Sequence, residues 1–147
     1  MPAVRYHEIL DALRQIFESD PRTGDALVHI ETDPTMDVVG AQKAILLVMD
    51  SRKPQDDQPI AAGKRTRYDL KIGIWAIGYA IDLGEAASIR DTLLGEIELV
   101  LMENRTIRDK VATSWLMGGD FVTANAEKNI FSSAETILVA EVTASIG

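Results

Sequence analysis

Apolar and polar residues alternate along residues 68–77 with the period of a β-strand. The residues of one parity are all apolar: Tyr68, Leu70, Ile72, Ile74 and Ala76. Alternation that is rich in β-branched and aromatic residues is typical of a strand with one buried face. After Ile74 the other parity also becomes apolar, through Trp75 and Ile77. We therefore predict that the later half of this strand is covered on both sides.

A long amphipathic helix is predicted directly after this strand. Asp82 precedes Glu85 by three residues, the spacing of a capping box that bonds the free backbone donors of a first helical turn. Apolar residues then recur at intervals of three and four and form one stripe: Ile89, Leu93, Ile97, Val100 and Leu101. The residues predicted to face away are Arg90, Asp91, Glu96 and Glu103. The helix is expected to lie on the sheet and to end at Asn104 and Arg105.

The rest of the pattern predicts one more helix and four more strands. A helical stripe runs over Val4–Phe17 and stops before Asp20-Pro21, because proline disfavours helical geometry in the preceding residue. The predicted strands are Ala26–Glu31, Ala44–Met49, Val111–Val122 and Thr136–Ile146. A helix over Val38–Val48 is the alternative to the second of these strands. Gly118-Gly119-Asp120 interrupts the third, where the glycines suit a tight turn or a bulge.

These elements predict an α+β fold, with a mixed, mainly antiparallel sheet of about five strands and two main helices packed on one face. The chain has 147 residues, of which 46% are apolar. A chain of this size can bury on the order of two thirds of its unfolded surface. We therefore expect a single domain over residues 1–147, with the face of the last strand that carries Leu138 and Val142 turned to the core.

A long polar segment separates the two central predicted strands. Residues 51–66 contain two prolines, one glycine and only one large apolar residue, Ile60. Structureless segments of this length are uncommon inside compact domains and are usually functional or disordered. We predict a flexible loop, which is either a tether between two strands or a segment that becomes ordered on a partner. Its charged residues are the candidate contacts with a neighbouring subunit: Arg52, Lys53, Asp56, Asp57, Lys64 and Arg65.

Composition restricts the classes of function. The chain has no cysteine, which excludes disulfides, thiolate nucleophiles and thiolate metal ligands. Its net charge of −8 argues against a primary role in binding nucleic acid, which depends on clusters of Lys and Arg. No apolar run approaches the roughly 20 residues of a membrane-spanning helix. We expect a protein that is made in the cytoplasm and does not bind membranes.

No catalytic or cofactor motif stands out. Gly63-Lys64 is not a phosphate-binding loop, because the first glycine of that motif is replaced by Gln58 and the following Ser or Thr by Arg65. Neither a dinucleotide-binding glycine motif nor a nucleophile elbow is present. His7 and His29 each lack a second ligand at helical or short-loop spacing, so structural or surface roles are favoured. We expect a protein that is not an enzyme and has no cofactor.

The nearest approach to a metal or acid–base site is the carboxylate group Glu31, Asp33 and Asp37. Asp33 precedes a proline, however, and its side chain suits a turn equally well. A small metal-dependent hydrolase that uses these three residues is therefore the least favoured hypothesis. Trp75 and Trp115 both lie in predicted strands, and we interpret both as core residues.

The layout resembles that of the tail terminator, or tail-completion, proteins of long-tailed bacteriophages, the group that includes the lambda minor tail protein U. The likeness covers nearly the whole chain, from Val4 to Ile146. It is most evident in the strand Tyr68–Ile77, the helix that begins at Glu85, the link Asn104–Ile107 and the Gly118-Gly119-Asp120 stretch before the last alternating strand.

This resemblance implies a structural protein of the virion, located at the junction of tail and head. Subunits of such proteins, typically six, form a ring on the last ring of the tail tube, stop its polymerisation and present a surface to the head connector proteins. DNA only passes through the ring. Another neck or head–tail joining component is the alternative within the same machine.

Overall fold

A computed structural model describes residues 5–31, 42–55, 65–125 and 130–145. In chain order their elements are α1 (Tyr6–Ser19), β1 (Leu27–Ile30), β2 (Lys43–Pro54), β3 (Arg65–Ala80), α2 (Leu83–Glu103), β4 (Thr113–Met117), β5 (Phe121–Asn125) and β6 (Ile130–Ser145). Within these ranges no helix is both long enough and apolar enough to cross a membrane.

The strands form one mixed sheet in the order β1-β2-β3-β6-β4, and β5 also pairs with β6. Only β1 and β2 run parallel, while the other pairs are antiparallel. The long strands β3 and β6 pair over 16 residues, from Arg65 opposite Ser145 to Ala80 opposite Ile130. The predicted α+β fold with a mainly antiparallel sheet is confirmed. The sheet has six strands rather than five because the predicted strand 111–122 is divided into β4 and β5.

The main core lies between one face of the sheet and the two helices. Its strand residues include Leu47 of β2, Ile72 of β3 and Leu138 of β6, which the helix residues Leu13 and Ile97 help to cover. A smaller cluster lies on the opposite face, where Trp75 and Tyr79 pack against buried residues: Ala44, Leu46, Ile77 and Phe131. We call this opposite side the helix-free face. The apolar residues on both parities of the later half of β3 are explained by these two clusters.

The start of α2 is fixed by a cap and by a glycine in the strand below it. The Asp82 carboxylate accepts a hydrogen bond of 2.8 Å from the Gly84 N–H, which confirms the predicted helix start. Gly78 of β3 lies directly under the first turns of α2, where a Cβ atom would be 2.3 Å from the Ala86 carbonyl oxygen. Close contact between helix and strand at this point therefore requires glycine.

The link between α2 and β4 contains three consecutive residues with left-handed backbone: Ile107 (φ 49), Arg108 (φ 53) and Asp109 (φ 63). This conformation costs each residue of order 1 kcal/mol. Ile107 is fully buried, and the Arg108 guanidinium donates to the Gln15 side chain of α1 at 2.9 Å. The packing of the link against α1 therefore holds the strained backbone.

Two predictions about individual elements need correction. The helical alternative for residues 38–48 is wrong from Lys43 onward, where β2 begins; residues 38–41 lie outside the described ranges. Arg90 does not face away from the core, because its side chain is 15% exposed and donates to the Ser132 hydroxyl at 2.7 Å. Its guanidinium also stacks on the Phe121 ring at 4.9 Å.

Candidate functional site

Strand residues occupy both ends of the predicted flexible loop, residues 51–66. β2 continues to Pro54, which pairs with Tyr68, after a register shift between Met49 and Ser51. Arg52 and Lys53 are therefore strand residues, and Arg65 is the first residue of β3. The prediction was wrong here because charged residues in an exposed strand end look like loop in sequence. Asp56, Asp57 and Lys64 lie outside the described residues.

Arg52 has a structural contact that its sequence context did not indicate. Its guanidinium donates a 2.9 Å hydrogen bond to the Tyr6 hydroxyl of α1 and stacks on the Tyr68 ring at 4.9 Å. Cation–π and hydrogen-bond contacts of this kind favour the charged form. Accordingly, the hydrogen bond that Arg52 donates to Tyr6 raises the pKa of Arg52 above its ordinary value. Arg52 therefore attaches α1 to the sheet, while the residue stays exposed to solvent.

Lys53 lies on the other face of the same strand. Its cross-strand partner is Asp69, which shares a strand face with Arg67 and Lys71 because alternate residues point to the same side. Lys53 is exposed, and the Arg67 side chain is 69% exposed, with its nearest carboxylate, that of Glu141, at 3.9 Å. We call Lys53, Arg67 and Lys71 the sheet-end patch. It forms a positively charged area on the helix-free face.

The opposite edge of the sheet is an interrupted edge strand formed by β4 and β5. Met117 pairs with Ile137 and Phe121 pairs with Ala134. Between these two pairs the edge strand has three residues, whereas β6 has two. That is the geometry of a β-bulge. Gly119 permits it, because a Cβ there would lie 2.4 Å from the Glu135 carbonyl oxygen. The predicted turn or bulge at the glycine pair is therefore a bulge.

This edge strand exposes large apolar side chains to solvent. The exposed fractions are Trp115 40%, Met117 43%, Phe121 64% and Val122 45%. We call these four residues the apolar edge. The bulge reverses which alternate residues face the helices. Trp115 and Met117 therefore lie on the helix-free face, whereas Phe121 contacts Arg90 on the face that the helices cover. Beside it, a cavity of about 180 Å³ opens between the end of α2 and β4, lined by Met102, Arg105, Trp115 and Leu116 among others.

The prediction that Trp75 and Trp115 are core residues holds only in part. Trp75 is half-buried and packs against the smaller cluster. Trp115 is 40% exposed, so its assignment to the core was wrong. Both tryptophans lie on strands with similar sequence patterns, and only the position of β4 at the sheet edge separates them. Alternation cannot distinguish an edge strand from a central one.

Glu135 is a carboxyl group near the apolar edge whose pKa is affected by burial. It lies across Gly73 on the helix-free face, where its Oε2 is 2.9 Å from the position that a Gly73 Cβ would take. Burial, followed by the charges of Asp50 and Asp120, raises the pKa of Glu135 above its ordinary value of 4.5. A negative charge at this position is therefore unfavourable.

The hydrolase hypothesis gains no support from the described part of the chain. Glu31 uses its Oε1 to accept a 3.2 Å hydrogen bond from the Met49 N–H, which holds β1 beside β2. Asp33 and Asp37 are outside the described residues. His7 is exposed, and the buried Nε2 of His29 has no partner among the residues described. The described ranges contain no group of three His, Asp or Glu side chains arranged to hold a metal ion.

No protein-family model matches the sequence, and no curated protein sequence matches it.

Proposed function

We propose that this protein is a structural assembly protein that caps a phage tail tube as a ring of identical subunits. In this role it stops tube polymerisation and presents the surface to which head connector proteins bind. The sequence resemblance to tail terminator proteins motivates the proposal. The fold is compatible with it, because its notable surfaces are suited to contacts between proteins.

The apolar edge is the observation that carries the proposal. An unpaired edge strand with exposed apolar side chains is a site of aggregation unless a partner covers it. Natural edge strands usually carry charges or proline instead. The four residues of the apolar edge include neither a charged residue nor a proline. Aromatic residues and methionine are enriched at protein interfaces. Such an edge suits a protein that binds copies of itself and a tail tube.

A capping assay tests the proposal directly. Tail tubes that lack a terminator are incubated with the protein and examined by negative-stain electron microscopy. A ring at one tube end and an arrest of further tube growth are expected. If the protein binds isolated head connector but never a tube, it is another neck component; if it binds neither, the proposal fails.

The contribution of the apolar edge is tested with a matched pair of variants. Trp115→Ser/Met117→Ser is expected to abolish capping while the circular dichroism spectrum stays unchanged. Ile81→Ser/Leu83→Ser removes two apolar side chains of greater exposure, 84% and 50%, from the junction of β3 and α2. This control is expected to cap as the original chain does. Equal activity of the two variants would refute the role of the edge.

A further inference from the structure

Charge is unevenly distributed along this chain. Residues 51–71 contain six Lys and Arg against three Asp and Glu, a net charge of +3, although the whole chain carries −8. The remainder therefore carries −11. Residues 82–103, which are α2 and its cap, contain six acidic residues and one basic residue, Arg90. A positive and a strongly negative segment thus belong to the same small domain.

The positive segment presents charges that the described part of the same copy does not neutralise. Lys53 and Lys71 of the sheet-end patch form no ion pair with a described residue, and Arg67 reaches Glu141 only at 3.9 Å. Asp69, between them, accepts a 2.9 Å hydrogen bond from the Gln55 amide.

Several acidic residues of α2 are equally without an ion pair in the described structure. Asp91 pairs with Arg90 and Glu103 pairs with Arg22, but Glu85, Glu96 and Glu98 have no cation within ion-pair distance among the described residues. Among these acids, α2 also exposes Leu99 (53%) and Met102 (54%). The outward face of α2 is therefore an acidic surface with an apolar centre.

These two charged surfaces lie on opposite sides of the sheet. The sheet-end patch is on the helix-free face, whereas α2 covers the other face. The two surfaces cannot meet within one copy. Complementary surfaces at different places on a molecule form heterologous, head-to-tail contacts, which close into rings or continue as filaments.

We propose that the sheet-end patch of one copy binds the outward face of α2 of a second copy. This inference rests on the proposed self-assembly and identifies the surfaces that make the contact. The lysine and arginine side chains of the patch face the unpaired glutamates of α2 in the next copy. Leu99 and Met102 of that α2 provide the apolar part of the interface. Such electrostatic complementarity fixes which surfaces meet and in which orientation.

The same patch is poorly suited to a nucleic acid. Asp69 and Glu141 lie among its three cations, on the same strand face, so three positive and two negative charges leave the patch a net charge of only +1. Binding to a phosphate backbone depends on clustered cations that release counterions. A protein surface that presents carboxylates and apolar groups is the better match.

Charge-reversal variants test the inference through mutual rescue. Lys53→Glu/Lys71→Glu makes both surfaces acidic, and Glu96→Lys/Glu98→Lys makes both basic. Each variant alone is expected to self-associate at least about tenfold more weakly than the original chain, since like charges then face each other. An equimolar mixture of the two is expected to restore association, which also shows that both variants are folded. Sedimentation velocity and native mass spectrometry measure these states.

A matched control separates a local contact from overall charge. Arg105→Glu/Lys110→Glu reverses two cations outside the patch and changes the net charge by the same amount as the first variant. It is expected to leave association intact. Association of the original chain should weaken between about 0.1 M and about 1 M salt, because the screening length falls from about 10 Å to about 3 Å.

Three results would overturn the inference. The first is that the original chain associates but the reversal variants associate equally well. The second is that neither the original chain nor the variant mixture associates at low salt; tube capping in the electron-microscopy assay would then leave the proposed function standing. The third is that Lys53→Glu/Lys71→Glu abolishes binding to duplex DNA without changing self-association.

Discussion

Replacing Gly78 with alanine is predicted to be severely destabilising. This residue lies where α2 crosses β3, and an added Cβ would be 2.3 Å from the Ala86 carbonyl oxygen and 2.9 Å from the Arg90 backbone nitrogen. Real Cβ atoms essentially never come closer than 3.0 Å to another heavy atom. Both obstacles are helix backbone, so a side-chain rotation cannot relieve the clash. α2 would have to withdraw by about 0.7 Å, the difference between the 2.3 Å clash and the 3.0 Å limit.

The magnitude follows from what α2 covers. Moving the helix loosens its contacts with the core through fully buried residues such as Ala86 and Ile97. Overpacking a well-packed interface costs about 1 to 3 kcal/mol, and occasionally more. Alanine recovers about 0.5 to 1 kcal/mol in a strand because it restricts the unfolded chain more than glycine does. Because both clashes are with backbone atoms, the upper end of the overpacking cost applies, about 3 kcal/mol. We therefore expect a net loss of about 2 kcal/mol and, for a domain of this size, a fall in Tm of about 4 to 8 °C.

Urea denaturation followed by circular dichroism measures the change in the free energy of unfolding. Gly95→Ala is the matched control, because Gly95 lies in α2 itself and, apart from its neighbours in the helix backbone, no heavy atom lies within 4 Å of its added Cβ. The control is expected to gain about 0.5 to 1 kcal/mol from helix propensity. If Gly78→Ala is as stable as the original chain within about 0.5 kcal/mol, a typical limit for neutral substitutions, the close contact of α2 with β3 is not as described.

Three further predictions concern smaller effects. Arg52→Ala is expected to lower the free energy of unfolding by about 1 kcal/mol through loss of its tyrosine contacts, while Lys53→Ala changes it by less than about 0.5 kcal/mol; equal losses in urea denaturation would contradict this. Because the pKa of Glu135 is raised above 4.5, its contribution to stability is lost as pH rises through the folded-state pKa. Glu135→Gln should therefore raise Tm at neutral pH and have little effect at pH values below 4.5; an equal gain at both would refute the burial argument. Asp82→Ala is expected to cost about 1 kcal/mol and Asp82→Asn almost nothing, and chemical denaturation that cannot tell the two variants apart would argue against the cap.

Periodicity predicted the parts of the fold in which one strong pattern has one interpretation. The alternation from Tyr68 to Ala76 and the stripe from Leu93 to Leu101 both correspond to buried faces. The cap at Asp82 is local chemistry, since its carboxylate bonds a backbone group two residues away. Such features are readable because the responsible residues are neighbours in sequence.

The candidate surfaces were much less predictable because they depend on distant residues. Arg52 lies in a segment with the composition of a loop, yet it is a strand residue whose side chain contacts Tyr6 and Tyr68. Trp115 has the pattern of a core residue, but no described strand covers β4 on its outer side. The role of Gly119 depends on the Glu135 backbone of β6. The one available signal was the glycine pair itself, which predicted an irregularity at the correct place.

The position of β6 has a consequence for biosynthesis. This single strand is the partner of β3, β4 and β5, and it is the last of the six to be made. Until residues 130–145 have left the ribosome, β3 has only β2 beside it, and the apolar residues of β4 have no sheet to join. The nascent chain therefore exposes the apolar centre of its future sheet until β6 has been made, so formation of the sheet waits for this strand. A chaperone that binds extended apolar segments would be most useful to this protein at that stage.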